Sequence, residues 1–287
     1  MKILITGCGY LGRVIASLLL QDGHQVAATT RSPEKTASMR RVGIEPFVAD
    51  ITVPESLESL PSTDAVIHAV GFDRSAGLDR RTVSVVGLSH LLNSMKDRCA
   101  RFIHVSSTSV YGETQGEWVD ETTDCHPQSD NGIVCFDAEK LVGDLTESSN
   151  TVTSATIIRL SGIYGPGRLL RRIEQIQTNE LLAGTGDAWL NLIHVEDAAR
   201  AVIAALEEPH AGKTYLISDQ RPVSRLEYYS LLSRLLHANP PRFSGKDTSA
   251  TRTPGRNKRC QSRRSLEQLG IQLLYPDINT GLPAALS

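Results

Sequence analysis

The sequence lacks any apolar stretch long enough to cross a bilayer, so it predicts no membrane-spanning segment. It also lacks an excess of either charge. Its 30 Lys and Arg residues face 32 Asp and Glu residues, and the formal net charge is −2. A chain with this balance has no general electrostatic attraction for nucleic acid or for a membrane surface. We therefore expect neither nucleic acid nor membrane among its partners.

Cysteine is scarce, and its spacing fits neither a disulfide framework nor a metal site. The chain has five cysteines, an odd number, and none of them forms a C-x-x-C pair. The N-terminus also lacks the features of a secretory signal, because its apolar run starts at once and soon contains glycines and Arg13. These observations predict reduced thiols, no metal and a cytoplasmic location.

The most informative feature present is a glycine turn at the N-terminus. A strand-like run over Lys2–Thr6 is followed by G-x-G-x-x-G over Gly7–Gly12, and then by apolar residues at helical spacing. Gly7 permits a tight turn, Gly9 has no Cβ to obstruct a pyrophosphate, and Gly12 lets the helix approach the strand. The helix N-terminus would then direct its N–H groups and its dipole at the phosphates. The pattern predicts a dinucleotide site, and an ordinary glycine-rich turn is the alternative.

Short apolar strands alternate with helical patterns through the first two-thirds of the chain, which indicates a parallel sheet covered on both faces. We expect a doubly wound α/β fold, the Rossmann fold, whose ligands lie at the carboxyl ends of the strands. The predicted strands are Lys2–Thr6, Gln25–Thr30, Pro46–Ala49, Ala65–Val70, Arg101–Ser106, Ala155–Leu160 and Thr214–Ile217.

The same pattern predicts two units. A dinucleotide-binding domain is expected over 1–165, and it is continued by 189–218. The remaining segments, 166–188 and 219–287, would form a small C-terminal substrate lobe. Because a doubly wound sheet binds its ligand at one edge, we expect this lobe to close over that edge.

The end of the second predicted strand bears on the choice of dinucleotide. A carboxylate there would bind the ribose 2′-OH of NAD, but the strand continues as Thr30-Arg31-Ser32. Guanidinium groups bind phosphate in a bidentate fashion, so Arg31 favours the 2′-phosphate of NADP over NAD. Asp50 ends the third strand, where it could bind the adenine amino group or cap a helix. Both interpretations of Asp50 stay open, and a solvent-facing arginine is the alternative for Arg31.

Three further motifs follow later strands, in an order typical of one family. They are S-S-T-S-V-Y-G over Ser106–Gly112, R-L-S-G-I-Y-G-P-G over Arg159–Gly167 and H-V-E-D-A-A over His194–Ala199. With the glycine turn, they make the chain resemble the extended short-chain dehydrogenase/reductase family, over 1 to about 236. That family contains NAD(P)-dependent nucleotide-sugar epimerases and dehydratases. The resemblance implies hydride transfer at a nicotinamide, and it makes a homodimer an expectation.

In that family the chemistry depends on a Ser or Thr, and on Tyr and Lys in the spacing Y-x-x-x-K. By resemblance, Ser107 takes the serine position and orients the reacting oxygen, while Lys140 takes the lysine position and binds the nicotinamide ribose. Phe136 occupies the usual tyrosine position, and phenylalanine has no proton to give. The resemblance therefore implies an atypical branch that binds the cofactor but lacks the family's general acid.

These arguments define the predicted site. The predicted catalytic residues are Ser107 and Lys140, and the predicted cofactor-binding residues are Gly7, Gly9, Tyr10, Leu11, Gly12, Arg31, Asp50, Ala69 and Lys140. The structural alternatives are a backbone-satisfied hydroxyl for Ser107 and a helix-surface lysine for Lys140. Tyr111 and Tyr164 are candidate replacement proton donors, although packing is the favoured interpretation of both. A structural role is favoured for His68.

Two basic groups fall in the predicted substrate lobe. They are Arg168, Arg171 and Arg172, and then Arg252, Arg256, Lys258, Arg259, Arg263 and Arg264. Either group could receive a phosphate-bearing substrate, although a solvated surface is the commoner role of such runs.

We therefore predict an NAD(P)-binding, epimerase/dehydratase-like oxidoreductase. Its substrate would be a sugar-nucleotide or another small carbonyl or alcohol, and a substitute donor or water would supply the proton. The alternative is a catalytically weakened NADP(H)-binding regulatory protein that senses the cofactor through the same fold.

Overall fold

A parallel sheet organises the chain. The computed structural model describes residues 1–73, 75, 77–148, 154–207, 210, 212–245 and 257–287. The strands, in chain order, are β1 (Lys2–Thr6), β2 (Gln25–Thr30), β3 (Glu45–Val48), β4 (Thr63–His68), β5 (Cys99–Ser107), β6 (Glu117–Val119), β7 (Ser154–Leu160), β8 (Gly162–Tyr164), β9 (Leu181–Leu182), β10 (Trp189–Leu190), β11 (Leu192–His194), β12 (Thr214–Ile217), β13 (Val223–Ser224), β14 (Arg242–Phe243) and β15 (Lys258–Cys260).

Seven of these strands form one sheet in the order β12-β7-β5-β4-β1-β2-β3, and every neighbouring pair is parallel. The chain runs outward from β1 to β2 and β3, and then returns to the other side of β1 to form β4 and β5. The order of the strands therefore reverses between β1 and β4. In doubly wound sheets a ligand binds at this reversal, beyond the carboxyl ends of the strands.

Helices cover both faces of this sheet. The α-helices are α1 (Tyr10–Gln21), α2 (Thr36–Arg41), α3 (Gly87–Met95), α4 (Asp130–Ser148), α5 (Leu170–Gln177), α6 (Val195–Ala204), α7 (Arg225–Leu235), α8 (Arg263–Gln268) and α9 (Ile278–Leu286). Alternate residues of β1 separate the two faces. Ile3 and Ile5 pack in a buried cluster with α1 and α6, whereas Leu4 packs in a second cluster with α3 and α4. Because both faces are buried, the strands are apolar throughout.

A separate buried cluster lies outside the sheet. It joins α5, α7 and α9 through residues such as Ile176, Leu232 and Leu282. Leu266, Leu269 and Leu273, however, pack in the cluster that contains β1, α1 and α6. The second predicted segment of the lobe therefore contributes to two cores. The division into a domain over 1–165 with 189–218 and a lobe over 166–188 with 219–287 stays a prediction.

The predicted fold class is confirmed. All seven predicted strands are present, and their ends differ from the prediction by at most two residues. The fourth strand ends at His68 and not at Val70, because Ala69 and Val70 leave the sheet to pass against Gly7. Periodicity alone could not detect this change of direction, since both residues are apolar.

Candidate functional site

The glycine turn has the close contacts that its sequence predicts. Gly7 has a φ of +88°, and a Cβ there would lie 2.6 Å from backbone atoms of Ala69 and Val70. A Cβ on Gly12 would lie 2.4 Å from the carbonyl oxygen of Gly7. A Cβ on Gly9 would meet nothing within 4 Å. Gly7 and Gly12 are therefore required by packing, whereas Gly9 borders open space that a ligand can use.

The N-terminus of α1 can receive an anion. It begins after Gly9 with no side-chain cap and with no acidic residue in its first turn. The first N–H groups of a helix have no partner within the helix, and the helix dipole places positive potential there. This arrangement fits a pyrophosphate.

A cavity of about 1360 Å³, here called the outer cavity, lies against this turn. Most of the predicted cofactor-binding residues line it, namely Gly7, Gly9, Tyr10, Leu11, Arg31, Asp50 and Ala69. Gly12 lies behind the lining, where it allows the close packing described above. The elements that contribute are the ends of β1, β2, β3 and β4, which is where the reversal of strand order places a ligand.

Arg31 lies on the outer cavity but has a partner within the chain. Its Nη2 is 3.0 Å from Oδ2 of Asp73, and both side chains are about half exposed. Lys35 and Ser38 line the same part of the cavity, and sequence reasoning missed both. The sequence does contain a signal for Lys35, because it is a basic residue four positions after Arg31 on a helical segment that begins at Pro33.

Asp50 lines the outer cavity and also makes a local turn. Its Oδ1 accepts hydrogen bonds from the backbone N–H of Thr52 at 2.9 Å and from the Thr52 hydroxyl at 2.7 Å. The structure thus supports a turn-forming role like the predicted cap, and Asp50 still faces the cavity. The two interpretations of this residue are compatible.

A second cavity of about 620 Å³, here called the inner cavity, continues from the first. The two share Val70, Gly71, Phe72 and Val105. The polar residues that line the inner cavity are His68, Arg80, Ser84, His104, Ser106, Ser107, Asp130, Asn131 and Cys135. The predicted catalytic Ser107 is therefore placed beyond the outer cavity, where its Oγ accepts a hydrogen bond from the backbone N–H of Ser109 at 3.1 Å.

Helix α4 is anchored to the sheet by a buried ion pair. The Glu139 carboxylate accepts hydrogen bonds from the Arg159 guanidinium at 3.0, 3.2 and 2.8 Å, and from the Ser106 hydroxyl at 2.5 Å. The side chains of Glu139 and Arg159 are only 3% and 9% exposed. Asn131 and Cys135 on this helix line the inner cavity, and sequence reasoning missed both.

The structure does not bring Lys140 together with Ser107. The Lys140 side chain is 58% exposed, and its Nζ lies 3.6 Å from Oδ1 of Asp137 and 4.4 Å from the centre of the Phe136 ring. Asp137 also accepts a hydrogen bond from Arg81 at 2.8 Å. Neither Phe136 nor Lys140 is among the described residues that line the two cavities. Their roles at the site stay predictions.

Two stacked histidines form the floor of the inner cavity. His68 and His104 have ring centres 5.5 Å apart, and Nδ1 of His68 is 2.8 Å from the Thr6 hydroxyl. Burial lowers the pKa of His104 to about 4. Burial, and then His104, hold the pKa of His68 well below its usual range. Both rings are therefore neutral near pH 7, and Nδ1 of His104 has no hydrogen-bond partner within the described part of the chain.

The candidate replacement tyrosines are packing residues. Tyr111 is fully buried, donates to the carbonyl of Asp120 at 2.6 Å and accepts from Arg159 at 2.9 Å. Tyr164 is also buried. Burial raises the pKa of both hydroxyls, although Arg159 works against this for Tyr111. Neither is among the described residues that line the cavities. Their hydroxyls are thus held as phenols and not as proton shuttles.

The basic residues do not form one anion site. Arg168 lines the outer cavity and lies 5.2 Å from the ring of Tyr10. In the second group, Arg252 and Arg256 lie outside the described residues. The other four have contacts within the chain: Lys258 with Tyr111, Arg259 with Trp118 and Trp189, Arg263 with Glu267, and Arg264 with Glu121. Among the described members of the two groups, only Arg168 lines one of these cavities.

Two kinds of feature are absent from the described ranges. No helix in them is both long and apolar enough to cross a membrane. Nor do they contain a cluster of three or more His, Cys, Asp or Glu side chains that could hold a metal ion.

The sheet, the glycine turn and the outer cavity together define a dinucleotide-binding protein of the doubly wound class. A sequence model of the NAD dependent epimerase/dehydratase family matches residues 3–218, and the chain belongs to this family. The resemblance inferred from the motifs is thereby confirmed.

Individual relatives span nearly the whole chain. The chain is 31% identical over 282 residues to Protein YeeZ of Escherichia coli strain K12, and the alignment covers 96% of this chain and 97% of YeeZ. It is 25% identical over 243 residues to the 4-hydroxy-2-methyl-3-oxo-4-farnesyl-3,4-dihydroquinoline-1-oxide ketoreductase of Stigmatella aurantiaca, covering 81% and 72% of the two chains. The structure of UDP-glucose 4-epimerase from Thermotoga maritima with UDP-glucose matches with a TM-score of 0.85 at 20% identity. That match covers 100% of this chain and 97% of the epimerase, and it shows the shared fold.

Proposed function

We propose that this chain is an NADP(H)-dependent oxidoreductase that moves hydride between the nicotinamide and a small carbonyl or alcohol. The observation that carries the proposal is the continuity of the two cavities. A space large enough for a dinucleotide leads from the glycine turn, past Val70, Gly71, Phe72 and Val105, into a smaller polar space beside Ser107. A bound dinucleotide would supply the hydride chemistry where the two spaces meet.

The residues of the outer cavity fit such a cofactor. The open space at Gly9 and the uncapped N-terminus of α1 would hold the pyrophosphate. Arg31 and Lys35, with the hydroxyl of Ser38, would hold a ribose 2′-phosphate. These three side chains support NADP over NAD, although Asp73 would compete with the phosphate for the Arg31 guanidinium.

The inner cavity supports a small substrate. Its volume of about 620 Å³ lies in the range of small-molecule sites, and its described lining comes from residues 68–138. The predicted lobe segments do not contribute to that lining, which favours a compact carbonyl over a bulky nucleotide sugar. Ser107 would hydrogen-bond the reacting oxygen. Hydride added to carbon and a proton taken from water onto oxygen together give the alcohol.

A second function is supported by one specific observation. The described residues that line the inner cavity include no tyrosine or lysine, so they supply neither the phenol nor the ammonium on which the family's chemistry depends. This favours, as the second candidate, a catalytically weakened NADP(H)-binding regulatory protein. It would use the same outer cavity, and the substrate would no longer be turned over.

Equilibrium titration followed by turnover separates the two functions. The purified chain is titrated with NADPH and with NADH by nicotinamide fluorescence, and then incubated with NADPH and a panel of small ketones, aldehydes and nucleotide sugars. Oxidation of NADPH with a small carbonyl supports the enzyme. Tight binding without turnover across the panel supports the regulatory protein. No binding of either dinucleotide would overturn both.

A further inference from the structure

The rotation of α4 decides which of its side chains face the cofactor cleft. The buried bonds of Glu139 to Arg159 and Ser106 hold one face of the helix against the sheet. An α-helix has about 3.6 residues per turn, so side chains four positions apart share a face. Asn131 and Cys135 precede Glu139 by eight and four positions, and they therefore share its face.

Phe136 and Lys140 lie one position further along and point about 100° away from that face. The contacts of Lys140 agree with this direction, because its side chain is 58% exposed and lies against the Asp137 carboxylate and the Phe136 ring. Of the two positions matched to Y-x-x-x-K by spacing, Phe136 therefore packs against the buried cluster around Tyr111 and Lys140 is exposed, and neither lines the inner cavity. Asn131 and Cys135 have the same spacing and face inward.

The inward pair belongs to a cluster of hydrogen-bonding groups. Nδ2 of Asn131 donates to the Ser109 hydroxyl at 3.1 Å, and the backbone N–H of Ser109 donates to Oγ of Ser107 at 3.1 Å. Ser109 also interacts with the Cys135 thiol and acts to lower its pKa. Ser109 thus links Asn131 to Ser107. The Asn131 amide has a second N–H donor and an acceptor oxygen with which to bind a ligand.

A buried polar atom at the floor of the inner cavity supports a polar ligand in this space. His104 lines the inner cavity and is 5% exposed. Its Nδ1 has no hydrogen-bond partner in the part of the chain that the structure describes. An unpaired buried polar atom is unfavourable, so a polar ligand or water that pairs with it is stabilised.

We propose that Asn131 and Cys135, and not Phe136 and Lys140, are the side chains of α4 that meet the reacting groups. Asn131, with Ser107, binds the oxygen of a small carbonyl or alcohol, and Cys135 contacts the nicotinamide ribose. The assignment rests on the proposed function, because it requires a dinucleotide in the outer cavity.

Under this assignment, Asn131 and Cys135 would contact the ligand through uncharged hydrogen-bonding groups. Burial raises the pKa of the Cys135 thiol, against a smaller opposite effect of Ser109, so the thiol carries no charge near pH 7. A neutral thiol cannot lower the pKa of a neighbouring phenol as a lysine ammonium does. The replacement of tyrosine by asparagine is consistent with that loss, because an amide needs no such help to donate a hydrogen bond.

Mapping of cysteine alkylation tests the assignment on the wild-type chain. The protein is treated with iodoacetamide with and without NADPH, and labelling of each cysteine is followed by peptide mass spectrometry. At NADPH about ten times its dissociation constant, we expect labelling of Cys135 to slow about tenfold. Cys8, which lines the outer cavity, should also be protected, and Cys125 should react equally in both samples.

A matched pair of substitutions gives a second measurement that does not depend on thiol reactivity. Asn131→Trp should fill the inner cavity and weaken NADPH binding by at least about tenfold, whereas Lys140→Trp should bind within about twofold of wild type. Thermal melting checks that each variant is folded. If Asn131→Trp fails to fold, the alkylation result decides, and if Cys135 does not react at all, the tryptophan pair decides.

The outcomes separate this assignment from the proposed function. Equal labelling of Cys135 with and without bound NADPH would overturn the assignment and leave the proposed function standing. A loss of NADPH binding in Lys140→Trp, with unchanged binding in Asn131→Trp, would also overturn the assignment and leave the proposed function standing. Failure of the wild type to bind either dinucleotide would overturn both.

Discussion

The two ends of the cofactor cleft differ in how closely they follow the family pattern. At the phosphate end, Gly7, Gly9 and Gly12 have the positions and contacts that dinucleotide binding requires. At the inner end, helix α4 presents Asn131 and Cys135 to the inner cavity, and the described residues that line this cavity include neither tyrosine nor lysine. The comparison shows that binding a dinucleotide and using it for the family's chemistry depend on separate parts of the fold. One part can change while the other is kept.

The largest expected effect concerns the buried ion pair of Glu139 and Arg159, which fixes the orientation of α4 at the inner end of the cleft. Glu139→Ala removes one partner of a buried ion pair and leaves the Arg159 guanidinium without its carboxylate. Breaking such a pair costs about 3–5 kcal/mol, which urea unfolding would measure. Asp137→Ala breaks the pairs that this partly exposed carboxylate forms with the exposed Arg81 and Lys140, and it should cost about 0–1 kcal/mol. Equal losses in the two variants would contradict the orientation of the helix.

The floor of the inner cavity predicts a dependence of stability on pH. The folded-state pKa of His104 is lowered from 6.5 to about 4, so between these values the unfolded chain binds more protons at this residue. Stability is therefore lost as the pH falls below 6.5. The loss from this group is about 2.5 kcal/mol by about pH 4.5. We expect His104→Phe to lose less stability than wild type between about pH 7 and 4.5. Parallel curves would show that this ring is not buried and neutral.

Two glycines at the phosphate end should respond differently to the same added methyl group. In Gly12→Ala the new Cβ would lie 2.4 Å from a backbone oxygen, and overpacking of this kind costs about 1–3 kcal/mol. In Gly9→Ala the Cβ meets nothing, so the melting temperature should stay near that of wild type while NADPH no longer raises it. A Gly9→Ala variant that NADPH still stabilises fully would remove the pyrophosphate from this turn.

The smallest expected effect distinguishes the two dinucleotides. Arg31→Ala removes a guanidinium that would contact a 2′-phosphate, so the dissociation constant of NADPH should rise about tenfold, which is about 1.4 kcal/mol. The dissociation constant of NADH should not change, because NADH has no such phosphate. Tighter binding of NADH than of NADPH by the wild type would refute the preference for NADP.

The fold and the phosphate end could be predicted from the sequence because their signals are local. Strand periodicity, the spacing of Gly7–Gly12 and the position of Arg31 each depend on neighbouring residues. The contact of Ala69 with Gly7 depends instead on the pairing of β1 with β4, which are far apart in the sequence. Only the glycine motif, and not local periodicity, pointed to it.

The inner end could not be predicted in the same way. The motif requires two residues four positions apart, and Phe136 and Lys140 have that spacing. The rotation of α4, however, depends on the bond between Glu139 and Arg159, which is 20 residues away along the chain. A buried acid four positions after Cys135 and eight after Asn131 was the available signal. It has meaning only once its arginine partner on β7 is known. His104 was missed because a histidine inside a strand has no local signature.

The structure of the chain crystallised with NADPH would test the central claim most directly. We predict that the pyrophosphate lies within hydrogen-bonding distance of the backbone N–H groups at the start of α1, after Gly9. The nicotinamide should lie between Val105 and the inner cavity, with Asn131 and Cys135 facing it. A nicotinamide ribose held by Lys140, with Asn131 and Cys135 turned away from the ligand, would contradict the account.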